Sequence, residues 1–346
     1  MTETYTRAVF TAPETIRWDE LPLPEPGPRE ALVKVKACAL CTWEQRMYTG
    51  EEHYYPLAGG HEISGELVKL GDRVFMDVEP GDKVVAGPLT RCGYCAACTR
   101  GLNNICDNAL KAYAGRDVPG PAGLAEYILV QDNQLYPAQG EASFEELALS
   151  EPLACVIRSV RAAKVERADD VVVVGAGIMG LIHLLLVKQS GARVIVSEPD
   201  KERAAYARKL GAAAIIDPSD GSFVEQVMDL TRKRGADVIF NAVSVAAAVE
   251  QSVAALAKGG RSLVYASIYP KPAKITIDPN LFHKKEITLT GTLSQSRQEV
   301  QQAVDMIAKG LIDMSPLISK TFPLNELEEG LKAALKPDTY RVLVEM

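Results

Sequence analysis

Residues 170–187 read DVVVVGAGIMGLIHLLLV: a valine run, a glycine-punctuated turn and a second apolar run. The stretch invites comparison with a membrane span, but it is slightly short and broken by glycine. A buried strand, a tight turn and a buried helix explain it better, because consecutive valines suit a strand covered on both faces. Gly175, Gly177 and Gly180 have the G-x-G-x-x-G spacing. That pattern is weak alone and gains a mechanism between strand and helix. Gly175 permits the turn, Gly177 lets backbone approach a pyrophosphate, and Gly180 allows close helix–strand contact. The helix start, Ile178 and Met179, adds amide donors and partial positive charge. Glu198 ends the next strand-like run. A carboxylate there accepts hydrogen bonds from ribose hydroxyls and repels a 2′-phosphate, so NAD is expected over NADP. Arg203 follows closely and leaves room for some NADP tolerance. The alternative is a glycine turn in a parallel sheet with no ligand.

Outward from this turn, ARVIVSE, AAIID, ADVIFNA and GRSLVYAS are further buried-strand runs. Amphipathic stretches at 200–210, 222–234 and 246–258 lie between them. Such alternation gives a parallel sheet covered on both faces with right-handed crossovers. The first 150 residues differ. ALVKVKA at 31–37 and ISGELVKL at 63–70 alternate with period two, and PLPEPGPRE and EPGDKV are turns, so this part reads as mainly β. The chain ends in the strand-like YRVLVEM. The expected class is α/β: a Rossmann-type doubly wound parallel sheet plus a mainly β domain.

At 346 residues the chain suits two domains, and 47% hydrophobic with 24% charged residues is ordinary globular composition. A net charge of −7 with no Lys/Arg-rich run argues against nucleic-acid binding. The N-terminal MTETYTRAVF lacks a secretory pattern, so no membrane partner and a cytoplasmic location are expected. In a reducing compartment, clustered cysteine favours metal over disulfide.

RCGYCAACTRGLNNIC at 91–106 places Cys92, Cys95, Cys98 and Cys106 in one loop. Four soft thiolates suit a closed tetrahedral Zn²⁺ site that shapes a loop and leaves no place for substrate. The competing reading is an iron–sulfur cluster, whose bacterial signature follows the last cysteine with proline; here Asp107 follows. A second set is dispersed: Cys41 in CALCTWEQR, His61 and Glu62 in GGHEISGE, and Glu151 in LSEPLAC. Thiolate, imidazole and carboxylate are the donors of a catalytic zinc with an exchangeable position. Taken singly, each also reads as an ordinary core or loop residue.

The order Cys41, Gly60-His61-Glu62, four-Cys lobe, Glu151-Pro152, glycine turn and Glu198 resembles the zinc-containing medium-chain dehydrogenase/reductase (alcohol dehydrogenase) family over essentially the whole chain. It most resembles the branch of polyol (sorbitol-like) and L-threonine dehydrogenases. The resemblance implies a GroES-like catalytic domain at 1–152 and 293–346, carrying the lobe, and a Rossmann domain at 153–292. FHKKEITLTGT at 282–292 is similar to the family's return from the Rossmann sheet. It also implies two zinc ions per chain and NAD, a small-molecule alcohol substrate, a homodimer or homotetramer, and Glu62 and Glu151 at or near the catalytic zinc.

Relatives commonly carry Ser/Thr two residues and His five residues after the cysteine ligand, forming a proton relay. This chain has Trp43 and Arg46 there, with Glu44 where Asp is usual. Arginine cannot act as a base. Thr42 is one residue early, and in extended chain its side chain would point away. Trp43 is expected either to wall the substrate pocket or to pack in the core. Arg46 is expected to meet an anion of substrate or cofactor, or to form a surface salt bridge. Ser294 and Gln295 stand where threonine dehydrogenases usually show Gly-Arg, which counts against threonine. The leading expectation is an NAD-dependent dehydrogenase of a secondary alcohol in a polyol or sugar. The alternatives are a threonine or hydroxy-acid dehydrogenase and a non-catalytic nucleotide- or zinc-binding module.

Overall fold

The computed structural model describes residues 3–87, 89, 91–109 and 117–346. The chain divides into two compact units, 1–154 with 295–346, and 155–294. In chain order the first unit contains β1 (Thr4–Ala12), β2 (Thr15–Pro22), β3 (Glu30–Ala39), α1 (Thr42–Thr49), β4 (Glu62–Leu70) and β5 (Lys83–Ala86). It continues with α2 (Ala96–Thr99), β6 (Tyr127–Gln131), β7 (Leu135–Pro137), α3 (Phe144–Ala148) and the start of α4 (Ser150–Ala163). The second unit holds β8 (Asp170–Val174), α5 (Ile178–Gln189), β9 (Arg193–Ser197), α6 (Lys201–Lys209), β10 (Ala214–Ile216) and α7 (Phe223–Leu230). Then come β11 (Ala236–Asn241), α8 (Ala246–Ala254), β12 (Leu256–Val264), α9 (Asn280–Lys285) and β13 (Thr288–Gly291). The chain returns to the first unit with α10 (Arg297–Ala308), β14 (Ile318–Pro323), α11 (Leu327–Ala334) and β15 (Arg341–Glu345).

In the first unit β1 and β2 form an antiparallel hairpin. The main sheet runs β14-β15-β3-β4-β5-β7, with β6 also paired to β3. Its core gathers Phe10, Val33, Val35, Leu40, Ile63 and Leu124. Register decides what this sheet presents. Ala39 at the end of β3 opposes Glu62 at the start of β4, and Leu343 of β15. Three neighbouring strand ends therefore lead to Cys41, begin at Glu62 and begin at Arg341. Residues far apart in sequence meet at one edge.

The second unit is a parallel sheet in the order β10-β9-β8-β11-β12-β13, the doubly wound arrangement. Val171, Val172 and Val173 are fully buried at its centre, as a strand covered on both faces requires. The stretch expected to be helical at 246–258 stops earlier, since α8 ends at Ala254 and β12 starts at Leu256. Parallel pairing of Ala236 with Leu256 takes the apolar run that helix periodicity also fitted. His183 of α5 is fully buried and lies against Phe240 and Tyr265 at ring distances of 4.6 and 4.7 Å. Its Nδ1–H donates to the Met179 carbonyl over 2.7 Å, and Nε2 accepts from Ser159 over 3.1 Å. Burial pushes its pKa down to about 4, so the ring is neutral. Among the described residues no helix is long and apolar enough to cross a membrane.

Candidate metal and dinucleotide sites

Among the described residues two groups of side chains bring metal-ligating atoms within 4.8 Å of one another: Cys92, Cys95, Cys98 and Cys106, and Cys41, His61 and Glu62. In the first, Cys92 and Cys98 sulfurs are 4.0 Å apart and Cys95 and Cys106 sulfurs 3.9 Å. Tetrahedral Zn²⁺ with ordinary Zn–S bonds separates its sulfurs by about 3.8 Å. The loop supplies its own donors to sulfur. The Cys95 amide meets Cys92 Sγ, the Cys98 amide meets Cys95 Sγ, and the Cys92 and Asn108 amides meet Cys106 Sγ, each at 3.4 Å. Asn108 Nδ2 also donates to Cys92 Sγ over 3.3 Å. Burial works to raise the Cys92 pKa, but the Asn108 side chain and nearby amides outweigh it and bring it to about 6. Burial and the neighbouring thiols push Cys98 up to about 12. Four thiolates cannot share this volume without a cation. The donors fit a single closed zinc.

The second group is built by elements rather than by one loop. Cys41 is the N-cap of α1, and Gly50, at φ 79°, closes that helix in the left-handed region. The helix buries Glu44, Met47 and Tyr48. Fully buried Glu44 uses one oxygen twice, accepting from the Gly60 amide over 3.0 Å and from His61 Nδ1–H over 2.8 Å. That partner leaves His61 Nε2 for a metal, as in other carboxylate–histidine–metal chains. Glu62 is also fully buried and faces Arg341 at 3.0 Å, while Arg341 donates to the Leu40 carbonyl over 3.1 Å. Oε1 of Glu62 is the oxygen that faces Arg341, and Oε2 has no hydrogen-bond partner among the described residues, so Oε2 is the oxygen left for a ligand. Burial pushes the Glu62 carboxyl up, against the pull of Arg341. Burial also works against charge on His61, yet Glu44 and Cys41 outweigh it and raise that pKa well above its ordinary value. An environment that favours positive charge on a half-buried imidazole is one that accepts a metal cation. The donors fit zinc.

Glu151, half-buried in the first turn of α4, stands outside the group of three. Its charge nevertheless contributes to raising the Glu62 pKa, so it lies close by. Trp43 is half-buried, packs against the core and sets its ring edgewise to His61 at 5.7 Å. Trp43 therefore packs in the core and also stands beside the metal-ligating group. Arg46 Nε faces Glu51 at 3.5 Å, the salt-bridge alternative. Thr42 corrects the extended-chain reading: it opens a helix and is exposed, so strand alternation does not govern its direction.

In the second unit Gly175 has φ 98°, and a Cβ on Gly180 would sit 1.9 Å from the Gly175 carbonyl oxygen, so the fold itself demands both glycines. Gly177 is different. Among the described residues the first atom a Cβ there would meet is the Arg203 guanidinium at 3.9 Å, so room remains beside the start of α5, the place a helix N-terminus offers an anion. Ile178 and Met179 form the first turn of α5. Glu198 accepts from the Ala176 amide over 2.7 Å and from the Asp200 amide over 3.0 Å, which fixes its carboxylate beside the turn. Gly175, Glu198 and Arg203 line one depression of about 420 Å³, the size of a nucleoside site.

Residues 27–140 match the alcohol dehydrogenase GroES-like domain, and residues 179–309 match the zinc-binding dehydrogenase domain. An L-threonine 3-dehydrogenase of Caldanaerobacter subterraneus subsp. tengcongensis is 32% identical over 93% of this chain and 93% of its own. The chain belongs to the zinc-binding medium-chain dehydrogenase/reductase family. Scyllo-inosose 3-dehydrogenase of Thermotoga maritima is 31% identical over 98% of this chain and 91% of its own. A crystal structure of a Sinorhizobium meliloti protein described as a zinc-binding dehydrogenase, bound to NADP, superposes with a TM-score of 0.90. It is 28% identical, covering 99% of this chain and 100% of that one. As a medium-chain dehydrogenase the protein is a zinc-dependent oxidoreductase of hydroxy compounds that uses a nicotinamide dinucleotide, with a four-cysteine structural zinc site and a Cys/His/Glu catalytic site.

Three contributors escaped the sequence reading. Glu44 was visible only as a variant of the usual Asp, with no sign of its bond to His61. Asn108 lies just beyond the last cysteine, where its spacing to Cys106 could have flagged it. Arg341 gave no signal, because only the β3–β15 pairing brings it to Glu62.

Proposed function

We propose that the protein oxidises a secondary alcohol of a polyol, sugar or related hydroxy compound with NAD⁺, as a homodimer or homotetramer in the cytoplasm. The observation that carries the reading is the trio of half-buried Cys41 and His61 with buried Glu62, in a chain that also holds Glu198 fixed beside a glycine turn. When bound, zinc makes a hydroxyl acidic near neutral pH, and the dinucleotide accepts the hydride. The chain's own residues do the rest. Cys41, His61 and Glu62 would hold the ion, and Glu44 fixes the imidazole by its Nδ1–H bond. Trp43 offers an aromatic face beside that imidazole, suited to the C–H surface of a polyol.

The alcohol proton needs an acceptor, and neither Trp43 nor Arg46 is one. Glu62 is sealed from solvent and held by Arg341. Glu151 is the half-buried carboxylate, partly open to solvent, and it takes the proton directly or through a water. Glu198 supports NAD⁺ because a 2′-phosphate would meet its carboxylate; Arg203 in the same depression supports some use of NADP⁺. The names of the threonine dehydrogenases that the chain resembles favour a second reading, a hydroxy amino acid substrate. Ser294 and Gln295 weigh against it.

The test is reduction of NAD⁺ and NADP⁺ across polyols, sugars, sugar acids and L-threonine, with zinc measured on the same preparation. Turnover of one polyol or sugar with NAD⁺ by protein holding about two zinc ions per chain supports the proposal. Turnover confined to L-threonine favours the second reading. No turnover of any hydroxy compound by zinc-replete protein overturns both.

A further inference from the structure

We propose that Arg46 receives a carboxylate or phosphate carried by the substrate, and that Glu51 gives up its place on the guanidinium when that anion arrives. The hydroxy compound oxidised is then an anionic one. The inference rests on the reading that an alcohol is oxidised beside Cys41, His61 and Glu62, and narrows its substrate class. Cys41 is the N-cap of α1, and Arg46 is the one cation of that helix. Successive residues of a helix are turned by about 100°. Glu44, Met47 and Tyr48 form the buried side of α1, and Thr42 lies on its exposed side. Arg46 falls between Thr42 and Trp43, about 60° from Trp43, whose ring stands edgewise to His61 at 5.7 Å. Along the axis Arg46 lies about 7.5 Å beyond Cys41, and a chain of six carbons is about 6 Å long. A polyol with one hydroxyl at the metal-ligating group therefore has its far end at the level of Arg46. Although Arg46 sits towards the open side of the helix, its side chain is only 22% exposed. A long cationic side chain in such a place ordinarily runs out into water. This one stays in.

The anion that the chain itself supplies is a weak partner. Gly50, at φ 79°, ends α1 in the left-handed region, and the amides of Glu51 and Glu52 turn back to the Arg46 carbonyl over 2.9 and 3.2 Å. This cap delivers Glu51 to Arg46 by its backbone. The Glu51 carboxylate meets Arg46 Nε at 3.5 Å, longer than a charge-assisted hydrogen bond, and is 63% exposed. Exposed ion pairs of this kind contribute little. An incoming carboxylate or phosphate can take two parallel hydrogen bonds from the planar guanidinium, a stronger arrangement than the contact it replaces. Neutral hydroxyls gain no such advantage. Exchange of one anion for another also leaves the charge balance around the arginine as it was.

The experiment measures NAD⁺ reduction by full-length, zinc-replete protein on matched sets of five- and six-carbon polyols, their aldonates and their terminal phosphates. Wild type should favour an anionic member over its neutral parent by at least about tenfold in kcat/KM, the effect of one hydrogen bond to a charged group. Preference for aldonates identifies a carboxylate as the group bound, and preference for phosphates a phosphate; either supports the proposal. Arg46→Gln should remove most of that preference through KM. Arg46→Lys should restore part of it, because an ammonium keeps the charge without the planar fork. Glu51→Gln takes away the competing anion, so KM for the favoured anion should fall by about twofold to fivefold. Wild type that favours neutral members, or an Arg46→Gln change that is equal for anionic and neutral members, overturns the proposal while leaving alcohol oxidation in place. A higher KM in Glu51→Gln would show that Glu51 orients Arg46 rather than yields to the substrate, and overturns it too. No turnover of any member by protein that binds zinc and NADH removes the oxidation reading, and the proposal falls with it.

Discussion

The lobe at 91–106 and the pocket around His61 both gather metal-binding side chains, by opposite means. In the lobe the four ligands lie within one loop, and that loop's own amides, together with Asn108, donate to the sulfurs. In the pocket the ligands come from the start of α1 and the approach to β4, and their supports from α1 and the C-terminal strand. The lobe carries its outer contacts with it. The pocket borrows them from the whole first unit. A site of the first kind can stabilise a loop and little else, since four thiolates leave the ion no open position. The second kind can hold an ion short of ligands, because a rigid sheet and a buried carboxylate keep the geometry when a position is exchanged.

Removing one ligand from each site tests that contrast most severely. His61→Ala should lose one zinc per chain and essentially all turnover while the melting temperature changes little. Cys95→Ser should also lose one zinc, but should expose the 91–106 loop to protease and leave dinucleotide binding in place. Metal analysis, limited proteolysis and calorimetry on the two variants read the difference. Identical behaviour of the pair would abolish it.

The proton acceptor is the next largest effect. Glu151→Gln should keep its zinc and its NADH affinity yet lose at least about a hundredfold in kcat, the lower end of general-base effects. Near-normal turnover in a zinc-replete variant would move the proton to another group.

Two histidines, His61 half-buried and His183 fully buried, sharpen the comparison between a site built for charge and a core that refuses it. His61 is surrounded by acids, whereas His183 has no acidic partner among the described residues, and burial takes its pKa from 6.5 to about 4. The unfolded chain therefore takes up a proton near pH 6.5 that the folded protein refuses until about pH 4. Stability from this residue is complete above pH 6.5 and is lost as pH falls towards 4, by roughly 3 kcal/mol in all. His183→Gln keeps a donor and an acceptor without titrating, so its unfolding free energy should vary less with pH over that window. An unchanged slope in urea titrations would show that other groups dominate.

Smaller effects probe the supporting contacts. Glu44→Gln can still accept from Gly60 and His61 but loses its charge, so zinc affinity of the catalytic site should fall about tenfold. Asn108→Leu removes one donor to a Cys92 sulfur that keeps others, so zinc release from the lobe to a chelator should quicken by less than about tenfold. If Asn108 proves the more important of the two, the lobe depends on its surroundings more than its geometry suggests.

What the residues alone determined follows from interactions that are local in the chain. The glycine turn, the valine strand before it and the carboxylate at the end of the next strand lie in one βαβ stretch, so spacing and periodicity were enough to read them. The four-cysteine loop is likewise one short segment. The resemblance to a known family then linked Cys41, His61, Glu62 and Glu151, which no periodicity connects. Tertiary structure decided the rest. It put Glu44 rather than a nearer group on His61, because α1 is helical and turns that side chain inward. It brought Arg341 from the far end of the chain to Glu62 through the antiparallel pairing of β3 and β15. It ended α8 where parallel pairing with β11 claimed the next residues. In each case a long-range hydrogen bond or ion pair outweighed a local preference, and such contacts are set by strand register, which single-chain patterns do not encode.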